Sequence, residues 1–139
     1  MNDDITSFDG DYRFLSNFYH CDHLGTTTEH LYQAAKPSDP IEMIRILAAP
    51  TPGQAKRLGA RCKMRENWDH IKITVMREVI AQKFEDPDLR DFLLSTGTQT
   101  LIEGNTWGDK FWGVCGGVGL NNLGRLLMER RQILQAQYG

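Results

Sequence analysis

The sequence predicts an α+β fold, mainly helical, with a small sheet, in which residues 1–139 form a single domain. Three observations carry that prediction. The stretch Trp68–Phe84 places Trp68, Ile71, Val75, Val79, Ile80 and Phe84 on one stripe at helical spacing. Helix-start signals recur along the chain, at Thr28, Pro40, Thr51–Pro52 and Asp86–Pro87. Strand-like alternation is confined to short pieces, Ile5–Phe8, Phe18–Leu24 and Gln99–Glu103.

In chain order, Thr28 offers an N-cap for a helix over 29–35. That helix ends near Lys36, because Pro37 disfavours helical geometry in the residue before it. Pro40 suits the first turn of a helix through Ala49, and Thr51–Pro52 opens another to about Ala60. After the long helix, Asp86–Pro87 restarts the chain as a short helix, and Gly97 is a natural residue to end it. A last helix spans 122–137, with Leu123, Leu126, Leu127, Ile133 and Leu134 inward and Arg130 and Arg131 complementing its dipole.

At 139 residues the chain is long enough to bury one core and too short for a second. Hydrophobic residues at 40% and charged residues at 24% describe an ordinary globular chain and exclude a disordered one. No apolar run nears the roughly 18 residues that span a bilayer, and the acidic start "MNDDITSFDG" lacks a signal-peptide core. The expectation is therefore a cytoplasmic protein with no membrane partner. Three scattered cysteines, without a CxxC, argue against both a disulfide framework and a thiolate zinc site. A net charge of −2 excludes a generally basic nucleic-acid binder. One segment departs from that balance: "KRLGARCKMR", residues 56–65, holds five cations and no acid, so it reads as a solvated face or a local anion site.

Three further stretches could carry chemistry. "GNTWGDKFWG", 104–113, combines glycines with Trp107, Phe111 and Trp112 around a single acid, Asp109. It reads as a tight turn plugging the core, or as a pocket wall where aromatic faces stack a base and the acid handles protons. "GVCGGVG", 113–119, leads into the last helix and suggests an anion cradle of unobstructed amides. In "TTTEHLYQAAK", Glu29, Gln33 and Lys36 share one helix face, with Glu29 and Lys36 about 10 Å apart along the axis, room for one sugar. In "RFLSNFY", 13–19, Phe14, Leu15, Phe18 and Tyr19 are core candidates. They leave Asn17 as an amide that must find partners or read a ligand. His20, Cys21 and His23 are the weakest candidate set, for a metal-dependent hydrolase: on a strand the two histidines point to opposite faces, and no bound metal is expected.

Taken in order, "FLSNFY", "TEHLYQAAK", "ENW", "WGDKFWG" and "GLNNLGRLLMERR" resemble the NADAR (YbiA-like) family from about Arg13 to Arg131. The resemblance implies an N-glycosidase with a compact, mainly helical fold and no cofactor. Its implied substrates are small ribosyl or ADP-ribosyl compounds. They are phosphoribosylamino-pyrimidine intermediates of riboflavin synthesis, or ADP-ribose on guanine, free or in a nucleic acid.

Carried over position by position, the resemblance makes Glu29, Lys36, Asp109 and Trp68 catalytic. Glu29 would be a general base or charge stabiliser, and Lys36 a nucleophile at C1 of the ring-opened sugar. Substrate binding falls to Asn17, Phe18, Gln33, Trp107, Trp112, Gly113, Asn121 and Arg125. Two positions depart from the family pattern. Asn122 stands where some members carry arginine, which leaves a phosphate contact to Arg125, and Trp107–Gly108 replace more polar residues. A helix C-terminus favours a charged lysine, so burial or the cations of 56–65 must oppose that at Lys36. The alternative reading is a non-catalytic ADP-ribose or nucleotide-binding module.

Overall fold

The computed structural model describes residues 3–139; Met1 and Asn2 lie outside the described residues. Six α-helices dominate: α1 (Thr28–Ala34), α2 (Pro40–Leu47), α3 (Pro52–Arg61), α4 (Trp68–Lys83), α5 (Pro87–Ser95) and α6 (Asn122–Tyr138). Two short pairs supply the sheet content. Strands β1 (His20–Cys21) and β2 (Thr26–Thr27) are antiparallel, whereas β3 (Gly104–Asn105) and β4 (Val114–Cys115) are parallel. The mainly helical α+β class is therefore the observed one.

Prolines and acid caps set the helix starts as the sequence predicts. Asp39, Thr51 and Asp86 each accept a backbone N–H of the first turn, ahead of Pro40, Pro52 and Pro87 at the first helical position. At α1 the cap is Thr27, not Thr28: its Oγ1 accepts from the His30 N–H, while the Thr28 hydroxyl donates to Asn17 Oδ1 at 2.9 Å. With two threonines in tandem, the tertiary partner decides which one caps.

The chain divides into two compact units, Asn17–Val79 and Ile80–Gly139 together with the N-terminal segment through Ser16. In the first, α1 packs on α2 and α3 around Ala34, Ile46 and Ala55, with Ala49 and Leu58 at the margin. Small side chains here let the three helix axes approach closely. In the second unit, α5 packs on α6, and Phe14 meets Phe92 with ring centroids 5.5 Å apart. The Arg131 guanidinium donates to Thr96 Oγ1 at 2.9 Å, so it ties α6 to the end of α5 rather than serving the helix dipole.

The predicted strands shrink. Over 5–8 only Ile5 pairs, through a single parallel bridge to Leu101, with Ile5 N–H donating to Thr100 O and Ile102 N–H to Ile5 O. The predicted strand at 99–103 reduces to that bridge, because one residue of contact closes the backbone pairing and the chain then turns to form β3. Within 18–24 only His20–Cys21 is strand, and residues 10–15 form a 3-10 helix. Phe14 and Leu15 are core, but Phe18 is 46% exposed. On α6, Ile133 points outward at 38% exposure, one position round the helix from buried Leu134.

Candidate active site

The densest polar cluster in the core lies on α1, within the Asn17–Val79 unit. Glu29, His30 and Gln33 are buried polar residues, and so is Asn17. Each has an assigned reason to be there. The His30 Nε2–H donates to the Ala49 carbonyl at 2.9 Å, which leaves Nδ1 to accept from the Thr27 hydroxyl at 2.8 Å. His30 is thus a structural histidine that ties α1 to the chain just past α2. Asn17 accepts twice from α1, its backbone carbonyl from the Glu29 N–H at 3.0 Å and its Oδ1 from Thr28. Its Nδ2 donates to Met76 Sδ at 3.4 Å. An asparagine read from sequence as a ligand contact is in fact the clamp on the first turn of α1.

Glu29 and Gln33 share one face of α1, whereas Lys36 lies two residues past its end at Ala34. Gln33 Nε2 donates to Glu29 Oε2 at 2.6 Å, a charge-assisted contact across one helical turn. Gln33 is 3% exposed, so its amide serves the carboxylate and does not face an open surface. Lys36 follows the last turn and is half-buried. Arg65 pins that end of α1, its backbone N–H donating to the Lys36 carbonyl at 2.8 Å and its Nε–H to the Ala35 carbonyl at 3.0 Å.

The Lys36 ammonium sits 5.7 Å from the centroid of the Tyr32 ring. Tyr32 in turn meets Trp68, centroids 5.2 Å apart, and Trp68 is buried. Trp68 therefore bears on Lys36 through Tyr32. Burial pushes the Lys36 amine below the ordinary lysine range, Lys56 and Lys72 push the same way, and Glu29 opposes them. Desolvation is the leading cause, and it runs against the preference of a helix C-terminus for a charged lysine. Cys62 faces the same region: burial holds its thiol up, and its Sγ–H donates to the Gly59 carbonyl at 3.2 Å.

Asp109, Trp107, Trp112, Gly113, Asn121 and Arg125 belong to the other unit. Asp109 Oδ1 accepts from the N–H groups of Phe111 and Trp112, at 3.1 and 2.9 Å. Asn105 holds the Asp109 backbone from both sides, accepting its N–H at 3.0 Å and donating to its carbonyl at 2.8 Å. This side-chain scaffold keeps a glycine-rich loop rigid. Phe111 and Trp112 meet edge to face at 4.8 Å, whereas Trp107 stands 64% exposed. Gly113 is required because a Cβ there would fall on the Glu103 carboxylate.

Within 113–119 the N–H groups of Val114, Cys115 and Val118 donate to the carbonyls of Glu103, Val118 and Cys115, so these three amides are turned to backbone. At the start of α6 the N–H groups of Asn121, Asn122 and Leu123 donate to the carbonyls of Gly113, Phe111 and Trp112. Asn121, in the left-handed region with φ 53°, likewise spends its side chain on backbone. Its Oδ1 accepts from Glu103 N–H and its Nδ2 donates to Leu101 O, both at 2.9 Å. Arg125 is exposed. Asn121→Ala is expected to lower stability by about 1–3 kcal/mol by orphaning those two backbone groups. A lower urea midpoint at unchanged m-value is the measurement that checks it.

Several residues of this architecture escaped the sequence reading. Met76, at 1% exposure, receives the Asn17 amide, yet it falls outside the stripe drawn for α4. Lys83 is fully buried and donates to the Ser16 carbonyl at 2.9 Å; nothing in a single sequence marks a lysine as buried. Glu103 and Asn105 belong to the Asp109 network through an Asn105 Nδ2 to Glu103 Oε2 bond of 3.1 Å. The histidine candidates do not converge. His20 pairs with Asp22 at the surface at 3.5 Å, and no metal-binding group of three or more His, Cys, Asp or Glu occurs among the described residues. No helix among those residues is long and apolar enough to cross a membrane.

Comparison with known proteins bears on this arrangement. The model of the NADAR domain matches residues 6–135. An N-glycosidase of Nostoc punctiforme is 44% identical over 115 residues, covering 76% of this chain and 72% of that protein. The N-glycosidase YbiA of Escherichia coli is 42% identical over 112 residues, 78% of this chain and 69% of that one. A riboflavin biosynthesis protein of Vibrio vulnificus is 39% identical over 136 residues, 91% of this chain but only 37% of its own length. The NMR structure of E. coli YbiA superposes with a TM-score of 0.84 at 36% identity, covering 99% of this chain and 88% of that chain. The chain belongs to the NADAR domain family, a family of N-glycosidases.

Proposed function

We propose that this protein hydrolyses the N-glycosidic bond between ribose phosphate, or ADP-ribose, and a nitrogenous base, with Lys36 as nucleophile and Glu29 as its proton-transfer partner. The observation that carries this reading is a half-buried lysine just past the end of α1, its amine pushed down by burial, on which the buried Glu29 carboxylate of α1 acts electrostatically. An amine at the surface would remain protonated and unreactive at neutral pH.

Chemically, opening the sugar ring breaks the bond from C1 to the ring oxygen; the proton on the base nitrogen passes to that oxygen, and C1 is left double-bonded to the nitrogen. The Lys36 Nζ, as the neutral amine, adds to C1. Glu29 carries the two Nζ protons, one after the other, to the base nitrogen, and the bond from C1 to the base breaks, leaving the base as a free amine. The sugar is then held as an imine on Lys36, and water hydrolyses it to free sugar and free amine. Glu29 also opposes the positive charge that builds around C1 before attack. Within its own unit, Asp109 is the acid of the 104–113 loop. Its Oδ2 is the atom able to meet a ligand, since Oδ1 holds the Phe111 and Trp112 amides.

The test incubates the protein with ADP-ribosylated guanosine and, separately, with a phosphoribosylamino-pyrimidine, with and without borohydride. The expected result is release of free base from one of them and a borohydride-dependent mass increase on the peptide carrying Lys36. Tight binding of either compound without release would instead make the protein a nucleotide-binding module.

A further inference from the structure

We infer that Gln33 is a positioning residue for Glu29, held in place by the missing side chain of Gly59, and not a substrate contact. This rests on the role given to Glu29 above and extends it to a device that spans α1 and α3. The Gln33 amide is almost wholly buried, and its Nε2 is committed to Glu29 Oε2. Its other end, Oε1, is buried without a hydrogen-bond partner, the one such side-chain atom among the described residues. Leaving a buried carbonyl unpaired is costly, so such a group marks a place where geometry has been favoured over satisfaction.

Gly59 explains how the amide is held there. A Cβ on residue 59 would lie 1.9 Å from Gln33 Oε1 and 2.8 Å from its Cδ. Only a glycine lets α3 close onto the flat of this amide, where its Cα–H can offer Oε1 a weak contact. One turn earlier Ala55 is fully buried against the same helix packing, so the small face of α3 continues past Gly59. The buried amide lies between the Glu29 carboxylate and the α3 backbone at Gly59. One carboxylate oxygen is thereby held by a donor that is itself confined. Attack at C1 requires the acid and the amine to keep their spacing within a few tenths of an ångström, and this contact is what holds the acid.

Turnover of the released base is measured for Gln33→Met, Gln33→Ala, Gly59→Ala and the Gly59→Ala/Gln33→Ala pair, each corrected for the folded fraction. Gln33→Met keeps the volume without the N–H donor. The expected result is a roughly 10- to 100-fold fall in kcat with KM nearly unchanged in Gln33→Met and in Gly59→Ala, the scale of one lost bond to a charged group. In the pair, Gly59→Ala adds no further loss to that of Gln33→Ala alone, because the side chain it collides with has gone. A raised KM at unchanged kcat in Gln33→Met would make Gln33 a substrate contact and overturn the proposal, as would wild-type kinetics. Additive losses in the pair would overturn the part played by Gly59. If Gly59→Ala does not fold, Gln33→Met decides alone. Glu29→Gln, run beside them, separates the two layers: an active Glu29→Gln variant removes the role of Glu29 itself. A dead one beside a wild-type Gln33→Met removes only this inference.

Discussion

Lys36→Ala loses turnover by about 10³-fold or more and abolishes the borohydride-trapped adduct, the effect expected when a covalent nucleophile is removed. The acid–base behaviour of Lys36 gives a second, independent check. Its amine lies below the ordinary value of 10.5, with burial the leading cause. The sign follows directly: the neutral amine is populated at lower pH than in an exposed lysine, so imine formation with a small aldehyde rises and levels off at lower pH. Neighbouring charges should then move the inflection in opposite directions. Lys56 pushes the amine down, so Lys56→Met shifts the inflection up; Glu29 pushes it up, so Glu29→Gln shifts it down. Trapped adduct, quantified by mass against pH, reads all three proteins. An inflection in the ordinary lysine range, or a downward shift in Lys56→Met, would leave the amine without the activation assigned to it.

Why Lys36 could be found in the sequence, and its activation could not, is instructive. Helical spacing puts Glu29 and Gln33 on one face, as their hydrogen bond shows, and Pro37 marks the helix end near Lys36. Burial is a different matter. It depends on Tyr32, Trp68 and the pinning of the α1 terminus by Arg65, which lie up to thirty-two positions away along the chain from Lys36. The helices were legible because prolines and side-chain caps are local signals, and the strands were not because each is only a one- or two-residue pairing, too short for alternation to delimit. Alternation marks 5–8 and 99–103 as strand-like, but it does not tell that their pairing is a single bridge between Ile5 and Leu101. The 104–113 loop shows the same limit from the chemical side. Its composition suggests a core plug or a pocket wall, but not that the Phe111 and Trp112 amides turn to the Asp109 carboxylate. Asn17, Gln33 and Asn121 make the point again: each is a polar side chain that reads as a ligand contact, and each is bound to the protein itself. A buried amide must be satisfied by something, and in a small fold the nearest backbone usually answers first.

Glu29→Gln should lower kcat by about 10²–10⁴-fold, the range for a lost general acid–base group, while KM stays within about threefold. The amide is the informative replacement because it keeps the size of the side chain. Its carbonyl oxygen can still accept from Gln33 Nε2, and the backbone N–H of residue 29 still donates to Asn17 O. What disappears is the charge and the capacity to carry a proton. Glu29→Ala is a poorer probe, since it also orphans the buried Gln33 amide and so mixes stability into the rate. The split between kcat and KM decides what Glu29 does. An acid that moves a proton and opposes charge at C1 acts only once that charge develops, so its removal is felt in the transition state and not in the bound ground state. A residue that merely holds a ribose hydroxyl would act equally on both and appear in KM. The same variant also speaks to Lys36. Removing the carboxylate takes away the one charge on α1 that favours the protonated amine, so attack on a small aldehyde should persist at neutral pH while cleavage of the glycoside stops. An intact imine-forming lysine beside a dead glycosidase would place the proton transfer on Glu29. Loss of both activities together would mean that the carboxylate supports the lysine and does no chemistry of its own.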